Sequence, residues 1–219
     1  MPCLRSPIGL GRAAAALLGL LIAVNLFAVY ADLALYDVTG DLMNGSVGGA
    51  VFRRADSVQS LHAVAGHVRA VSSVVCAVVY LCWFVRVRGN AGVFDPAEQS
   101  MQPWWAVGGW FVPFLNFWYP RRIALEVWDA SSPAGTRRSH ALVNIWWTLW
   151  TLSLLVGWLG GLDFGKSATA DEIHTATFLA MFVDVARIAA GVPAILVVLR
   201  LTRMQHEKAL ARAGVPAGA

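Results

Sequence analysis

Four apolar runs dominate the chain, at 13–35, 68–87, 141–162 and 176–199. Each reaches the roughly 20 residues that carry a helix across about 30 Å of hydrocarbon at 1.5 Å per residue. Lipid offers the backbone no hydrogen-bond partner, so such segments must satisfy their own N–H and C=O groups, as a helix does. The expected fold is an all-α integral membrane protein, with four transmembrane helices in a bundle forming a single domain over 1–219. Composition agrees: 58% of residues are hydrophobic and 14% charged, against about 25% charged in an average soluble domain. So little charge cannot wet the surface of a soluble globule. The connections, 37–66 (Gly-rich) and 163–172 (short and acidic), are expected as loops.

A fifth apolar stretch, WWAVGGWFVPFLNFWYPRR from Trp104 to Arg122, behaves differently. Pro113 cuts it, Pro120 closes it, and only about sixteen residues separate Pro103 from Pro120, fewer than a spanning helix needs. Its four tryptophans and Asn116 suit the membrane–water boundary. The arginines point the same way. With the N-terminus inside, four spans gather Arg5, Arg12, Arg86, Arg88, the pairs Arg121/Arg122 and Arg137/Arg138 and the basic end 200–212 on one face, against Arg53, Arg54, Arg69 and Lys166 on the other. A fifth span would invert the second half of that pattern. The positive-inside bias therefore predicts a Trp/Pro-rich re-entrant or interfacial element over 104–130 on the cytoplasmic face, with both termini cytoplasmic. Within it, 119–130 reads as a short amphipathic helix. Most tryptophans would then form an aromatic belt, since nine of the ten fall between 104 and 158. The excess of Arg over Lys, with abundant Ala, Gly and Val, suggests a bacterial genome and hence a bacterial inner membrane. Arg5 and Arg12 before the first apolar run imitate a signal peptide, but that run exceeds the 7–15 residues of a typical secretory core, so the first helix is expected to be retained.

The same stretch carries a family likeness. Gly109-Trp110-Phe111-Val112-Pro113-Phe114-Leu115-Asn116-Phe117-Trp118-Tyr119-Pro120 resembles the G-W-[FWI]-[VI]-P-x-x-N-[LF]-[WY]-x-P signature of a bacterial multi-pass membrane family known as domain of unknown function 4328. The segment from Tyr80 to Asn90, with Trp83, Arg86, Arg88 and Asn90, is similar to that family's F-L-x-W-x-x-R-x-R-x-N stretch. Glu126, Trp128 and Ala130 match its E-x-W-x-A ending. Gly89 stands where the family usually has a basic or polar residue, a departure expected to fall in a loop. The resemblance implies fold and membrane location; the family has no established activity, so it assigns no catalytic or binding residue.

Each span carries polar or small residues at three-and-four spacing, hence on one face. The fourth has Thr177, Ala180, Asp184, Arg187, Gly191 and Ala194, with Phe178, Phe182, Val185, Val192 and Leu196 opposite; the second has Arg69, Ser73, Cys76, Tyr80 and Trp83. The third offers Asn144, Thr148 and Thr151, and the first Asn25, Ala28 and Asp32. Membrane helices associate through such close packing and hydrogen bonding, and Gly157 with Gly161 adds a small-xxx-small contact. Asp184 and Arg187 are the strongest signal: about 12 and 17 Å along the fourth span, each ion alone would cost about 2.5–3.5 kcal/mol, and at i, i+3 they can pair. Asp32 and Arg69, where the first span ends and the second begins, are expected to form a rim ion pair.

Signals for chemistry are poor. Cys3, Cys76 and Cys82 form no metal or disulfide spacing, the histidines show no HExxH pairing, and there is no nucleophile elbow, P-loop or dinucleotide fingerprint. No cofactor, metal or catalytic residue is expected. The arginines form no single patch, which argues against nucleic acid. The expected partners are the lipid bilayer and either a second copy or another membrane protein. The sequence thus favours a non-enzymatic membrane component or scaffold working through 104–129. A small transporter or channel using Asp184, Arg187 and the broken segment is the rival, and a membrane-embedded enzyme the weaker third.

Overall fold

The computed structural model describes residues 4–46, 48–133, 139–164 and 169–214, with side chains to 158 in the third stretch. Six α-helices and no strand are found among them: α1 Ile8–Met43, α2 Gly49–Phe94, α3 Trp105–Phe111, α4 Tyr119–Ser131, α5 Ala141–Phe164 and α6 Ala170–Arg212. Helices α1, α2, α5 and α6 are each long and apolar enough to cross a membrane.

The helices outrun their apolar runs. The region read as a Gly-rich loop is almost entirely helical among its described residues, with Asn44, Gly45, Ser46 and Gly48 outside the helices. Gly45, at φ 81°, makes the turn there. The Ser46 N–H reaches Asp41 O at 3.0 Å and the Gly45 N–H reaches Leu42 O at 3.1 Å, the paired closure that favours glycine just past a helix end. Helix α2 then begins twenty residues before Arg69, so that arginine lies about 30 Å from the helix start. Helix α6 likewise begins early. The Glu172 N–H bonds Thr169 Oγ1 and the Thr169 N–H bonds Glu172 Oε2, at 3.3 and 3.1 Å, a reciprocal cap that starts the helix six residues before its apolar run. Asp184 is thus about 21 Å along its helix. Gly89 falls inside α2, facing open space, and not in a loop.

The chain divides into two compact units, to each of which all four long helices contribute. One comprises Gly19–Val74 and Thr148–Gly191. Its interior is built from small and polar groups: Asn25, Ala28, Ala31 and Asp32 of α1, Ala65 of α2, Ser153 of α5, and Thr177 and Asp184 of α6 are buried. A side chain at Gly191 would lie 2.9 Å from Ile22 Cγ1, so α1 and α6 touch through that glycine. The sixth helix presents the expected faces, with Phe178, Phe182 and Val185 exposed. Arg187 is half out of the core, and Ser73 and Thr148 point away from it. Gly157 meets Val183 Cγ1 at 3.5 Å from an added Cβ; the side-chain surroundings of Gly161 lie outside the described residues.

The other unit comprises Met1–Leu18, Val75–Trp147 and Val192–Ala219. Its core is aromatic. Tyr80 sits 5.3 Å from Trp83, 5.7 Å from Trp110 and 6.3 Å from Trp146, ring centre to ring centre, and Trp147 lies 5.9 Å from Trp110. Such tilted and edge-on pairs add about 0.5–1.5 kcal/mol each beyond area burial. Much of the expected tryptophan belt is therefore interior: Trp83, Trp128, Trp146 and Trp147 are buried, while Trp104 and Trp118 are exposed. Here α1 and α6 approach so closely that a side chain on Gly11 would lie 2.3 Å from Thr202 Oγ1, the same hydroxyl that accepts from Trp83 Nε1 at 2.9 Å.

Candidate functional site

Two constellations gather the candidate residues. The first is ionic. Asp184, 0% exposed, accepts Arg69 Nη1 at 2.7 Å on both carboxylate oxygens and Arg187 Nη1 at 2.7 Å on Oδ1. The intrahelical pair is present, and Arg69 of α2 completes it as a clamp around one carboxylate. The rim pair between Asp32 and Arg69 does not form. Asp32 instead accepts from His62 Nδ1 at 2.7 Å. The cause is register: extending α2 to Gly49 places His62 opposite Asp32, seven residues ahead of Arg69. A second histidine joins α6 to α1, with His174 stacked on Tyr36 at 3.7 Å and its Nδ1 3.1 Å from Thr39 Oγ1. Asp32 and Asp184 against Arg69 and Arg187 leave these four side chains neutral in sum; both oxygens of buried Asp184 are hydrogen-bonded, whereas Asp32 is held through Oδ1 alone.

The second constellation is built from the family-like motifs. Gly109 is required by contact, since a Cβ there would sit 3.0 Å from Tyr119 Cβ and 3.7 Å from Pro120. Pro113 forces Val112 into an extended conformation (φ −84°, ψ 118°) and so ends α3. The next residue, Phe114, has φ 65° and ψ −43°, and the Leu115 N–H bonds Pro113 O at 2.8 Å. This is a γ-turn of the rare positive-φ kind, strained for a residue with a Cβ. A 3-10 turn at Leu115–Phe117 follows, and Pro120 in the first turn of α4 restarts the helix where a missing N–H costs nothing. Helix α4 buries Pro120, Ile123, Ala124, Val127 and Trp128, the amphipathic helix expected over 119–130.

The remaining motif residues are ties. Arg86 donates to Ser6 O at 3.2 Å, and buried Arg88 donates to Met101 O at 2.6 Å, fixing the 95–104 connection. Asn90 pairs with the backbone of Arg5, accepting from its N–H at 3.0 Å and donating to its carbonyl at 2.8 Å. Glu126 takes Arg122 at 3.3 Å and the Ser100 hydroxyl. Asp129 pairs with His140 at 2.7 Å, and Arg121 turns to Asn144 at 2.8 Å. Trp128 lies under Arg200, whose guanidinium is 5.6 Å from the ring centre. Asn116 sits in the 3-10 turn with its Oδ1 buried.

Sequence reading missed Gln205. Fully buried, it donates to Val87 O at 2.8 Å and Ser131 Oγ at 3.1 Å and accepts from Asn90 at 2.9 Å. It follows Val198 and Leu201 at helical spacing on an apolar stripe, which was the available signal. Also missed were two helix-end caps: Lys208 on Ala130 O and Ser132 O at 2.7 and 2.8 Å, and Arg212 on Val93 O and Phe94 O at 3.1 and 2.8 Å.

Four membrane-length helices, no strand among the described residues and ion pairs tied off inside a helical unit define a multi-pass helical membrane protein. A family described as a domain of unknown function (DUF4328) matches residues 49–203, and the chain belongs to it. No curated protein and no solved structure matches the chain.

Proposed function

We propose that this chain is a non-enzymatic component of a bacterial inner membrane, with both termini in the cytoplasm. Its bundle holds an aromatic platform against another membrane protein or a second copy of itself. The observation that carries this reading is the backbone at Phe114. A positive φ on an aromatic residue costs on the order of 1–3 kcal/mol and persists where surrounding structure imposes it. The ring gains little within the chain in return, being 77% exposed. Phe111 and Trp118 beside it are exposed as well, so one short segment presents three rings at once. The arginine clusters around this segment support a cytoplasmic placement, and its length supports a re-entrant or interfacial course. A photoreactive phenylalanine analogue at position 114 tests the reading in cells. A discrete protein adduct, at twice the chain's mass for self-association, supports it; adducts to lipid alone refute it.

A second reading, a small transporter or channel, is favoured by one observation. Asp184 is sealed in the core, while the side chains of its partners Arg69 and Arg187 remain 29% and 40% exposed. Intramembrane charges with access of that kind line ion and substrate paths in other proteins. Replacing all three charges together separates the readings, because a scaffold tolerates a folded neutral variant and a transporter does not.

A further inference from the structure

Beside the C-terminal half of α6 lies a groove of about 570 Å³ that meets the second constellation only through Arg200, which lies over Trp128. Leu196, Leu199 and Met204 of α6 and Leu142 of α5 form its apolar wall. From Leu196 to Met204 that wall runs about 12 Å along the helix. Arg200 and Arg203 stand along the same groove. Their charges are unequally compensated. Arg203 is held by Glu207 at 2.7 Å. Arg200 has no carboxylate partner among the described residues and is steadied over the Trp128 ring. The lining therefore carries one uncompensated positive charge beside a surface fit for hydrocarbon.

We infer that this groove is a binding site for a single anionic phospholipid, its phosphodiester at Arg200 and Arg203 and the upper part of an acyl chain along Leu196, Leu199 and Leu142. Charge complementarity selects the class. One net positive charge matches the single negative charge of a glycerol-type phosphodiester, and a zwitterionic headgroup would bring its own cation to Arg200. Basic grooves between helices near a membrane surface hold anionic headgroups by the same arrangement, with each nearby Arg contributing about fivefold in affinity. Glu207 moderates the site by occupying Arg203.

The full chain, purified in mild detergent and delipidated, tests this by native mass spectrometry with phosphatidylglycerol or phosphatidylcholine added at equal concentration. The expected result is a one-to-one adduct with phosphatidylglycerol, at most a trace with phosphatidylcholine, and none with inorganic phosphate. Arg200→Gln should weaken the adduct about fivefold, and Glu207→Gln should strengthen it by freeing Arg203. Leu196→Trp, which fills the groove without altering charge, should weaken it too. All three positions lie at the surface, and each variant is compared at equal monodispersity and helical content. Equal adducts with both lipids, a phosphate adduct, a protein dimer formed through the groove, or a Glu207→Gln variant that binds less would overturn the assignment.

Discussion

The clamp on Asp184 yields a graded set of expected losses. Asp184→Asn keeps the shape of the side chain but removes the charge that both Arg69 and Arg187 address at 2.7 Å. Two guanidiniums are then left facing each other over a neutral amide, and breaking a buried ion pair in this way costs about 3–5 kcal/mol. Arg69→Gln leaves Asp184 with Arg187 alone on Oδ1, so its cost is smaller, about 2–3 kcal/mol, near that of a charged hydrogen bond. Arg187→Gln should be mildest, about 1–2 kcal/mol, because Arg69 still bridges both oxygens and Arg187 is the more exposed partner. The double change Asp184→Asn with Arg187→Gln should not restore stability, since Arg69 stays uncompensated. Neutralising all three should. For a chain of this length 1 kcal/mol corresponds to about 2–4 °C, so Asp184→Asn should lower the melting temperature by about 6–20 °C. Tryptophan fluorescence during thermal unfolding in detergent reads the series directly. A double variant as stable as the parent, or an Arg187→Gln loss exceeding that of Asp184→Asn, would refute the three-membered clamp.

Gln205→Ala should cost about 2–5 kcal/mol, combining a cavity with unmet groups on Val87, Ser131 and Asn90, and should shift unfolding by a similar span in the same assay. Gln205→Glu should be worse than Gln205→Asn if the site is as dry as its burial indicates. Phe114→Gly should raise the melting temperature, because glycine takes φ 65° without the strain of about 1–3 kcal/mol that a positive φ imposes on a residue with a Cβ. The same variant should lose whatever association position 114 mediates, so gain of stability with loss of crosslinking from Phe111 is the expected pattern.

The number, type and approximate centres of the long helices were legible because hydrocarbon and backbone hydrogen bonding leave few options. The proline-bounded segment was legible for a similar reason: Pro113 and Pro120 can only stop and restart a helix there. Helix ends were not, because hydropathy reports entry into lipid while caps decide where helix geometry begins. Thr169 with Glu172, and Gly45 after Met43, carried that information in four-residue patterns outside the apolar runs. The error then propagated. Hydropathy alone starts α2 late and matches Arg69 to Asp32, whereas the helix register delivers His62 to Asp32 and Arg69 to Asp184. Gln205 escaped because a lone amide on an apolar stripe has no partner visible in one dimension.

The most direct measurement of the central claim, four crossings with the proline-cut segment confined to one face, is side-specific labelling. In a background carrying Cys3→Ser, Cys76→Ser and Cys82→Ser, single cysteines replace Ser46, in the turn after α1, and Ser139, just before α5. Ser46→Cys is expected to react with an impermeant maleimide in intact cells, and Ser139→Cys only once the membrane is opened. Reaction of Ser139→Cys from outside intact cells would mean that the segment from Trp104 to Tyr119 crosses the bilayer, contradicting the four-span account.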